Sequence, residues 1–365
     1  MFIGNAVAAS PAIYRNLQEI YDKFDVIMFD SHGVLWSGRE FYENTKDLMA
    51  ELVRKGKIVY VISNMTEVSS DAKKDYDNEG IVEGKHFHSL ITSGEYTRRA
   101  LLAGELKFED RSNPTRVYML GSPNTAMFKG TKYKVVQNIK DADFVYVSMP
   151  RLSEEQFKKY PNKEQLRESA LDLFGSTART WDSLVIDPFI PELKKFKKYN
   201  LPMLITSPNL MVEESARGSN EKNLVVRHGA IAEAYEMMGG RVIRIGKPHR
   251  EIFDLAVRDA EKRLARKLER NRILMVGDSI GTDICGAKNA GLKSALCVET
   301  GTTFEKLKKQ LELKYKELQK DAEKLAKFRQ QEQKIRYDML LKLQKEKNCV
   351  ADYMIEGVSI GYVAR

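Results

Sequence analysis

Five short apolar runs punctuate the chain, and each leads into polar or acidic residues. Asp25-Val26-Ile27-Met28-Phe29 leads to Asp30, and Lys57-Ile58-Val59-Tyr60-Val61-Ile62 leads to Ser63-Asn64. Ile273-Leu274-Met275-Val276 leads to Gly277-Asp278, while Met203-Leu204-Ile205-Thr206 and Ala295-Leu296-Cys297-Val298 repeat the form. Continuous apolar runs of this length suit strands buried on both faces, and helical stretches separate them. The expected fold class is α/β, a Rossmann-like parallel sheet covered by helices on both sides. Chemistry in such a sheet lies beyond the carboxyl ends of the strands. The residues just after the runs are therefore the candidate site: Asp30 with His32 and Gly33, Ser63 with Asn64, and Asp278 with Ser279 and Asp283. Lys247 joins them, in Ile245-Gly246-Lys247-Pro248 ahead of a helix expected near His249.

The 365 residues exceed one ordinary domain, and two domains with an appendage are expected. No apolar run approaches the roughly 20 residues that span a bilayer. Met1 to Ile13 lacks a basic flank leading into an apolar stretch, so a secretory signal is not expected there. Cys285, Cys297 and Cys349 are too few and too scattered for a disulfide framework, and none forms a Cys-x-x-Cys metal pattern. The expected setting is a reducing, cytoplasmic one.

The basic excess is concentrated near the C-terminus. Thr303 to Cys349 holds 14 Lys/Arg against 8 Asp/Glu, six of the nine net positive charges. The rest of the chain is nearly balanced, which argues against a nucleic-acid partner. Within this segment Phe304, Leu307, Leu311, Tyr315, Leu318, Ala322, Leu325 and Phe328 step by three and four, the spacing of one helix stripe. A polar run, Arg329 to Lys334, interrupts it before Ile335, Met339 and Leu343. One long helix or a helical hairpin is expected. It covers its own stripe, forms a coiled coil with a partner or a second copy, or contacts RNA or a membrane.

The stretch from Ser89 to Leu201 has shorter strands, Arg116 to Leu120 and Asp143 to Met149, and a Lys/Glu-rich insert from Ser153 to Glu168. It reads as a second domain inserted in the first. The expected organisation is core at 1–88, inserted α/β domain at 89–201, core again at 202–302, helical insertion at 303–349, and a final strand and tail at 350–365.

Asp30, Asp278 and Asp283 converging at one sheet edge would repel one another unless a cation lay among them. Carboxylates with a carbonyl suit Mg²⁺, which leaves its other positions to water and phosphate. Ser63 offers a hydroxyl and Lys247 a point charge, both suited to phosphate oxygens. A carboxylate nucleophile, a divalent cation, a hydroxyl and an ammonium are the parts for phosphoryl transfer through an aspartyl-phosphate. Each residue alone has a plainer reading: an Asp after a strand caps a helix, Ser-Asn makes a turn, a lysine lies at the surface. The set in this order is what points to chemistry.

Four blocks carry a resemblance: Phe29-Asp30-Ser31-His32-Gly33-Val34-Leu35, Val61-Ile62-Ser63-Asn64, Gly246-Lys247-Pro248, and Val276-Gly277-Asp278-Ser279-Ile280-Gly281-Thr282-Asp283-Ile284. With Gly229-Ala230-Ile231-Ala232 and Gly286-Ala287-Lys288-Asn289-Ala290-Gly291, they resemble the haloacid dehalogenase superfamily in its type IIA branch, which carries a C2-type cap between the second and third motifs. The resemblance implies a phosphoric monoester hydrolase that uses Mg²⁺ and acts on a small phosphorylated metabolite. Asp30 would be nucleophile and metal ligand, joined at the metal by the His32 carbonyl and Asp278. Ser63 and Lys247 would grip the phosphoryl group near the Gly33 and Asn64 amides, and Asp283, with Ser279, would support the metal waters or orient Lys247.

The chain departs from the family at three places. The usual second Asp, acid and base for the leaving alcohol and the attacking water, is His32 here. An imidazole can do that work, or mark a slow or specialised phosphoryl-transfer enzyme, or mark a protein that binds and barely turns over. Dehalogenase or phosphonatase chemistry, which also lacks that Asp, is a weaker reading. Ser207-Pro208-Asn209 stands where the branch shows Asn-Pro-Asp. The helical segment interrupts the core before its last strand, Tyr353 to Glu356, with a base near Gly301-Thr302 and an unreadable direction. Two functions follow: a Mg²⁺-dependent phosphatase, or a catalytically weak protein that acts through partner binding by its long helix.

Overall fold

The computed structural model describes residues 13–37, 40–108, 113–122, 124–169, 179–215 and 222–358. They divide into two compact units. The first holds the described residues of Met1–Ser63, Lys73–Ile91 and Lys247–Arg365; the second holds those of Asn64–Ala72 and Thr92–Gly246.

The first unit is built on a seven-stranded sheet in the order Ile13–Tyr14, Tyr353–Ile355, Lys293–Cys297, Ile273–Gly277, Val26–Phe29, Ile58–Ser63, Ser89–Thr92. The three central strands pair parallel, with Phe29 opposite both Val276 and Val61. Their residues are buried throughout, which is why they read as unbroken apolar runs. This register ends the three strands together. Asp30, Ser63 and Asp278 follow Phe29, Ile62 and Gly277, so all three lie at one carboxyl edge.

The basic segment is a helical hairpin, Gly301–Leu318 and Ala322–Glu346. It sits between two strands that pair directly, Lys293–Cys297 and Tyr353–Ile355. The turn falls at 319–321, where Asp321 Oδ1 accepts from Lys324 N at 3.0 Å and caps the second helix. Arg329 to Lys334 interrupts the apolar stripe but not the helix, since it lies inside Ala322–Glu346 with none of its residues buried. The stripe is spent within the chain. Leu307, Leu311, Phe328 and Leu340 are buried with Ile280, Ile284, Leu296, Val298 and Met354, and Tyr315, Leu318 and Leu343 pack against them. The rings of Tyr315 and Phe328 meet edge-on with centroids 4.9 Å apart. The stripe thus covers its own core, and this part of it does not form a face for a second copy.

The hairpin also corrects the reading of the cysteines as too scattered to pair. It returns the chain to its base, and Cys349 forms a disulfide with Cys285, 64 positions earlier, with Cα atoms 5.1 Å apart. Cys297 is free and buried. Among the described residues no helix is long and apolar enough to cross a membrane.

The second unit has its own parallel sheet, in the order Val242–Arg244, Met203–Ile205, Phe144–Val147, Arg116–Leu120, Lys134–Val136. Met203–Ile205 pairs with Phe144–Val147 and Val242–Arg244, so it is not a strand of the core as expected. The expected boundary at 201/202 lies inside this unit, which runs on to Gly246. The reason is physical: both units are parallel α/β, and a short apolar run does not encode which sheet it joins. A three-stranded antiparallel sheet, Arg151–Ser153, Thr180–Ser183 and Leu166–Glu168, sets Asp182 opposite Arg151 on one side and Arg167 on the other. The Ser207-Pro208-Asn209 departure lies where Asn209 O accepts from Gly229 N at 2.9 Å, beside the helix His228–Met237.

Candidate active site

The site grows from the strand ends. Asp30 N–H donates to Val276 O at 2.9 Å, continuing the sheet by one bond past the strand. The chain then turns, and Ser31 N–H donates to Asp30 Oδ1 at 2.7 Å. Ser31 Oγ shares a buried 2.6 Å hydrogen bond with the hydroxyl of Tyr76, whose pKa burial raises. This contact pins the loop after Asp30 to the helix Ser69–Asn78.

Lys247 lies at the centre. It is 1% exposed, and its Nζ stands 2.7 Å from Asp30 Oδ1 and 2.7 Å from Asp283 Oδ1. It also donates to Ile62 O at 2.8 Å, at the end of the strand that carries Ser63. Burial alone would pull this ammonium down, but the Asp283 and Asp30 carboxylates outweigh it and hold Lys247 above its ordinary pKa. The lysine read as a candidate from one Gly-Lys-Pro triplet is thus a buried cation bridging two acids.

Asp283 belongs to a single wide, π-helical turn, Ile280–Ile284, and its side chain reaches back to the start of that turn: Ser279 N–H donates to Asp283 Oδ2 at 3.0 Å. Ser279 therefore supports Asp283 through its backbone. Burial and the charge of Asp30 push Asp283 up to about 6 against the pull of Lys247. Asp278 is raised well above the carboxylate range by burial and by the charges of Asp30 and Asp283, opposed by a hydrogen bond from Thr302.

That hydrogen bond places the base of the inserted hairpin. Thr302 N–H, in the first turn of Gly301–Leu318, donates to Asp278 Oδ2, and Thr303 N–H donates to Asp278 O at 3.2 Å. The hairpin starts at the acidic cluster. Two glycines make room for it. A Cβ on Gly33 (φ +83) would lie 2.6 Å from Asp278 Oδ2, and one on Gly301 (φ +72) would collide with the same carboxylate. Gly33 was expected to offer its amide to phosphate, but that N–H is committed to Trp36 O at 2.7 Å. Its role here is close approach.

Of the remaining candidates, Ser63 is buried at the strand end, and the His32 side chain is exposed. Asn64 falls in the second unit, where its Oδ1 accepts from Ser93 Oγ at 3.0 Å. The sequence reading missed Thr302, whose contribution is a backbone N–H, and Tyr76, which no motif marks.

Asp30, Asp278 and Asp283 offer carboxylate oxygens within 4.8 Å of one another. Three carboxylates against one ammonium leave two negative charges in excess, and burial makes that excess expensive. A divalent cation fits the arrangement, since it cancels that charge and takes oxygen ligands.

Residues 27–129 match the family model for haloacid dehalogenase-like hydrolases, and residues 244–322 match the HAD-hydrolase-like model. The first span holds Asp30 and Ser63, and the second holds Lys247, Asp278 and Asp283. The chain belongs to the haloacid dehalogenase-like hydrolases. It is 26% identical to a 4-nitrophenylphosphatase of Schizosaccharomyces pombe, over 81% of this chain and 90% of that one. A haloacid dehalogenase-like hydrolase from Brucella suis shares the fold with a TM-score of 0.61 at 22% identity, over 79% of this chain and 90% of that one. A glycerol phosphate phosphatase from Mycobacterium tuberculosis, solved in complex with magnesium, does so with a TM-score of 0.51 at 17% identity, over 78% and 71%. This haloacid dehalogenase-like hydrolase carries Asp30, Lys247 and the acidic loop on separate segments that the fold brings together.

Proposed function

We propose that this haloacid dehalogenase-like hydrolase is a Mg²⁺-dependent phosphatase that cleaves small organic phosphates through an aspartyl-phosphate on Asp30. The observation that carries the reading is the buried Lys247 ammonium 2.7 Å from both Asp30 and Asp283, with Asp278 beside them. The similarity to a 4-nitrophenylphosphatase supports a phosphoric monoester as substrate.

In this mechanism the Asp30 carboxylate attacks phosphorus, a P–O bond forms, and the bond to the leaving alcohol breaks. Lys247 orients the free Asp30 carboxylate and places positive charge where the phosphoryl oxygens gather negative charge. Ser63 supplies a hydroxyl donor at the adjacent strand end. His32, two residues past the nucleophile and exposed, gives a proton to the departing alkoxide. It then takes one from the water that hydrolyses the acyl-phosphate, so Asp30 is regenerated and inorganic phosphate leaves. Asp30, Asp278 and the His32 carbonyl would hold Mg²⁺, with Asp283 alongside; bound there, the cation supplies Lewis-acid stabilisation of charge on the phosphoryl group.

The test is release of phosphate from 4-nitrophenyl phosphate and a panel of metabolite phosphates with Mg²⁺ present. Asp30→Asn should lower kcat by a thousandfold or more with its melting temperature preserved. Turnover in Asp30→Asn equal to the unmutated protein would sink the assignment. His32→Asp serves the second reading, a slow enzyme held back by the absent second Asp, which the departure at position 32 favours. A gain of tenfold or more in kcat supports that reading, and a loss shows that the imidazole itself does acid–base work.

Metal binding carries its own prediction. Asp283 binds a proton more tightly folded than unfolded, so its share of stability in metal-free protein is present below about pH 4 and lost as pH rises through about 6. Mg²⁺ relieves the repulsion that appears over that window. The rise in melting temperature on adding Mg²⁺ should therefore grow from pH 4 to pH 7, and a rise independent of pH would count against a cation among these carboxylates.

A further inference from the structure

We propose that Cys285 and Cys349 form a redox modification site whose oxidation clamps the inserted hairpin onto the acidic loop of residues 278–285. The loop carries Asp278 and Asp283, and the hairpin meets it at both ends. At the start, Thr302 and Thr303 donate to Asp278. Along its length, Leu307 and Leu311 bury themselves with Ile280 and Ile284 of the loop. At the far end, Cys349 is bonded to Cys285, two residues beyond Asp283, and Lys288 Nζ donates to the neighbouring Asn348 O at 2.5 Å. The covalent link thus adds to an end already held by buried packing of Leu340, Cys349 and Ala351 and by the hydrogen bond from Ala351 N to Gln344 Oε1 at 2.8 Å. The Cα separation of 5.1 Å lies within the range a disulfide spans without moving the backbone. Cys285 is half-buried, so a small thiol reagent can reach the pair, while Cys297 is fully buried and free.

The chemistry balances with either of two simple oxidants. A small disulfide such as oxidised glutathione accepts two electrons and the two thiol protons and leaves as two thiols. Hydrogen peroxide accepts the same and leaves as two waters. A dithiol reverses the step. With the disulfide closed, the hairpin cannot leave the loop without opening a covalent ring. With it open, local unfolding can begin at the C-terminal end of Ala322–Glu346 and spread to the loop. The inference concerns the loop and the hairpin, and it stands whatever substrate the enzyme takes.

The experiment uses the full chain, treated with oxidised glutathione or with dithiothreitol. Iodoacetamide labelling with peptide mass spectrometry should find residues 285 and 349 linked and unlabelled after oxidation, and both labelled after reduction. Reduction should lower the melting temperature by 5 °C or more and raise deuterium uptake in peptides covering 278–285 several-fold. Cys349→Ser should melt at one temperature in both conditions, while Cys297→Ala keeps the redox shift. Full labelling of both cysteines after oxidation overturns the proposal. So does a linked protein whose melting temperature and loop exchange match the reduced form. None of these readouts depends on phosphatase activity.

Discussion

Lys247→Met should lower kcat/KM by a thousandfold or more and destabilise the fold at the same time. The lysine is 1% exposed, and its ammonium serves Asp30, Asp283 and Ile62 O at once. Removing one positioned donor to a developing oxyanion typically costs about a hundredfold to a thousandfold. Here the nucleophile itself also loses its partner. Methionine leaves three carboxylates within 4.8 Å with no internal cation. Breaking a buried ion pair by deleting one partner costs on the order of 3–5 kcal/mol. Two responses distinguish this from a general packing defect. Added Mg²⁺ should recover much of the stability and little of the activity, because the metal replaces charge and not the donor to Asp30. Lower pH should also recover stability, since protonating one carboxylate removes repulsion. Lys247→Arg should fail nearly as badly, because a planar guanidinium cannot take the volume and three-way geometry of an ammonium. A Lys247→Met enzyme that keeps a tenth of its activity would show that the lysine is structural, and the proposed role would have to be withdrawn.

Asp182→Leu should produce the largest loss of stability in the second unit. The carboxylate is fully buried and meets three guanidinium groups: Arg151 Nε at 3.2 Å, Arg227 Nη1 at 3.3 Å and Arg167 Nη2 at 3.5 Å. Arg151 and Arg227 are themselves 3% exposed. Leucine fills similar volume but takes away the anion that makes three buried cations tolerable. A loss of about 3–5 kcal/mol is expected, measured by urea or thermal unfolding. Since the buried cations are the cause, adding Arg151→Met to Asp182→Leu should restore part of the loss, a sign of coupling that a mere packing change would not give. A change below about 1 kcal/mol would mean the arginines find other compensation.

Much of the active site was legible because it obeys local rules. Phe29, Ile62 and Gly277 end buried strands, and parallel strands of similar length end together, so Asp30, Ser63 and Asp278 had to share an edge once the pairing was parallel. Lys247 was weaker evidence in sequence, since a lysine in a loop is ordinarily solvated; only the structure shows it buried between Asp30 and Asp283. The errors were also informative. Met203–Ile205 has the same local character as the core strands, and its sheet is chosen by partners some 60 residues earlier and 40 later. The Gly33 amide was assigned from position alone, while its actual partner, Trp36 O, depends on how the loop turns.

The sequence by itself determined the α/β class, the order of the acidic, hydroxyl and ammonium groups, and the helical stripe of the insertion. These follow from periodicity and from what each residue type does to its own stretch of backbone. The tertiary structure alone decided that the hairpin begins on Asp278, that Leu307, Leu311 and Leu340 face inward, that Cys349 meets Cys285, and that Asp182 carries three arginines. Such contacts join residues that are far apart along the chain. Their identity is set by which apolar faces are buried together, and residues between 15 and 64 positions apart then become neighbours.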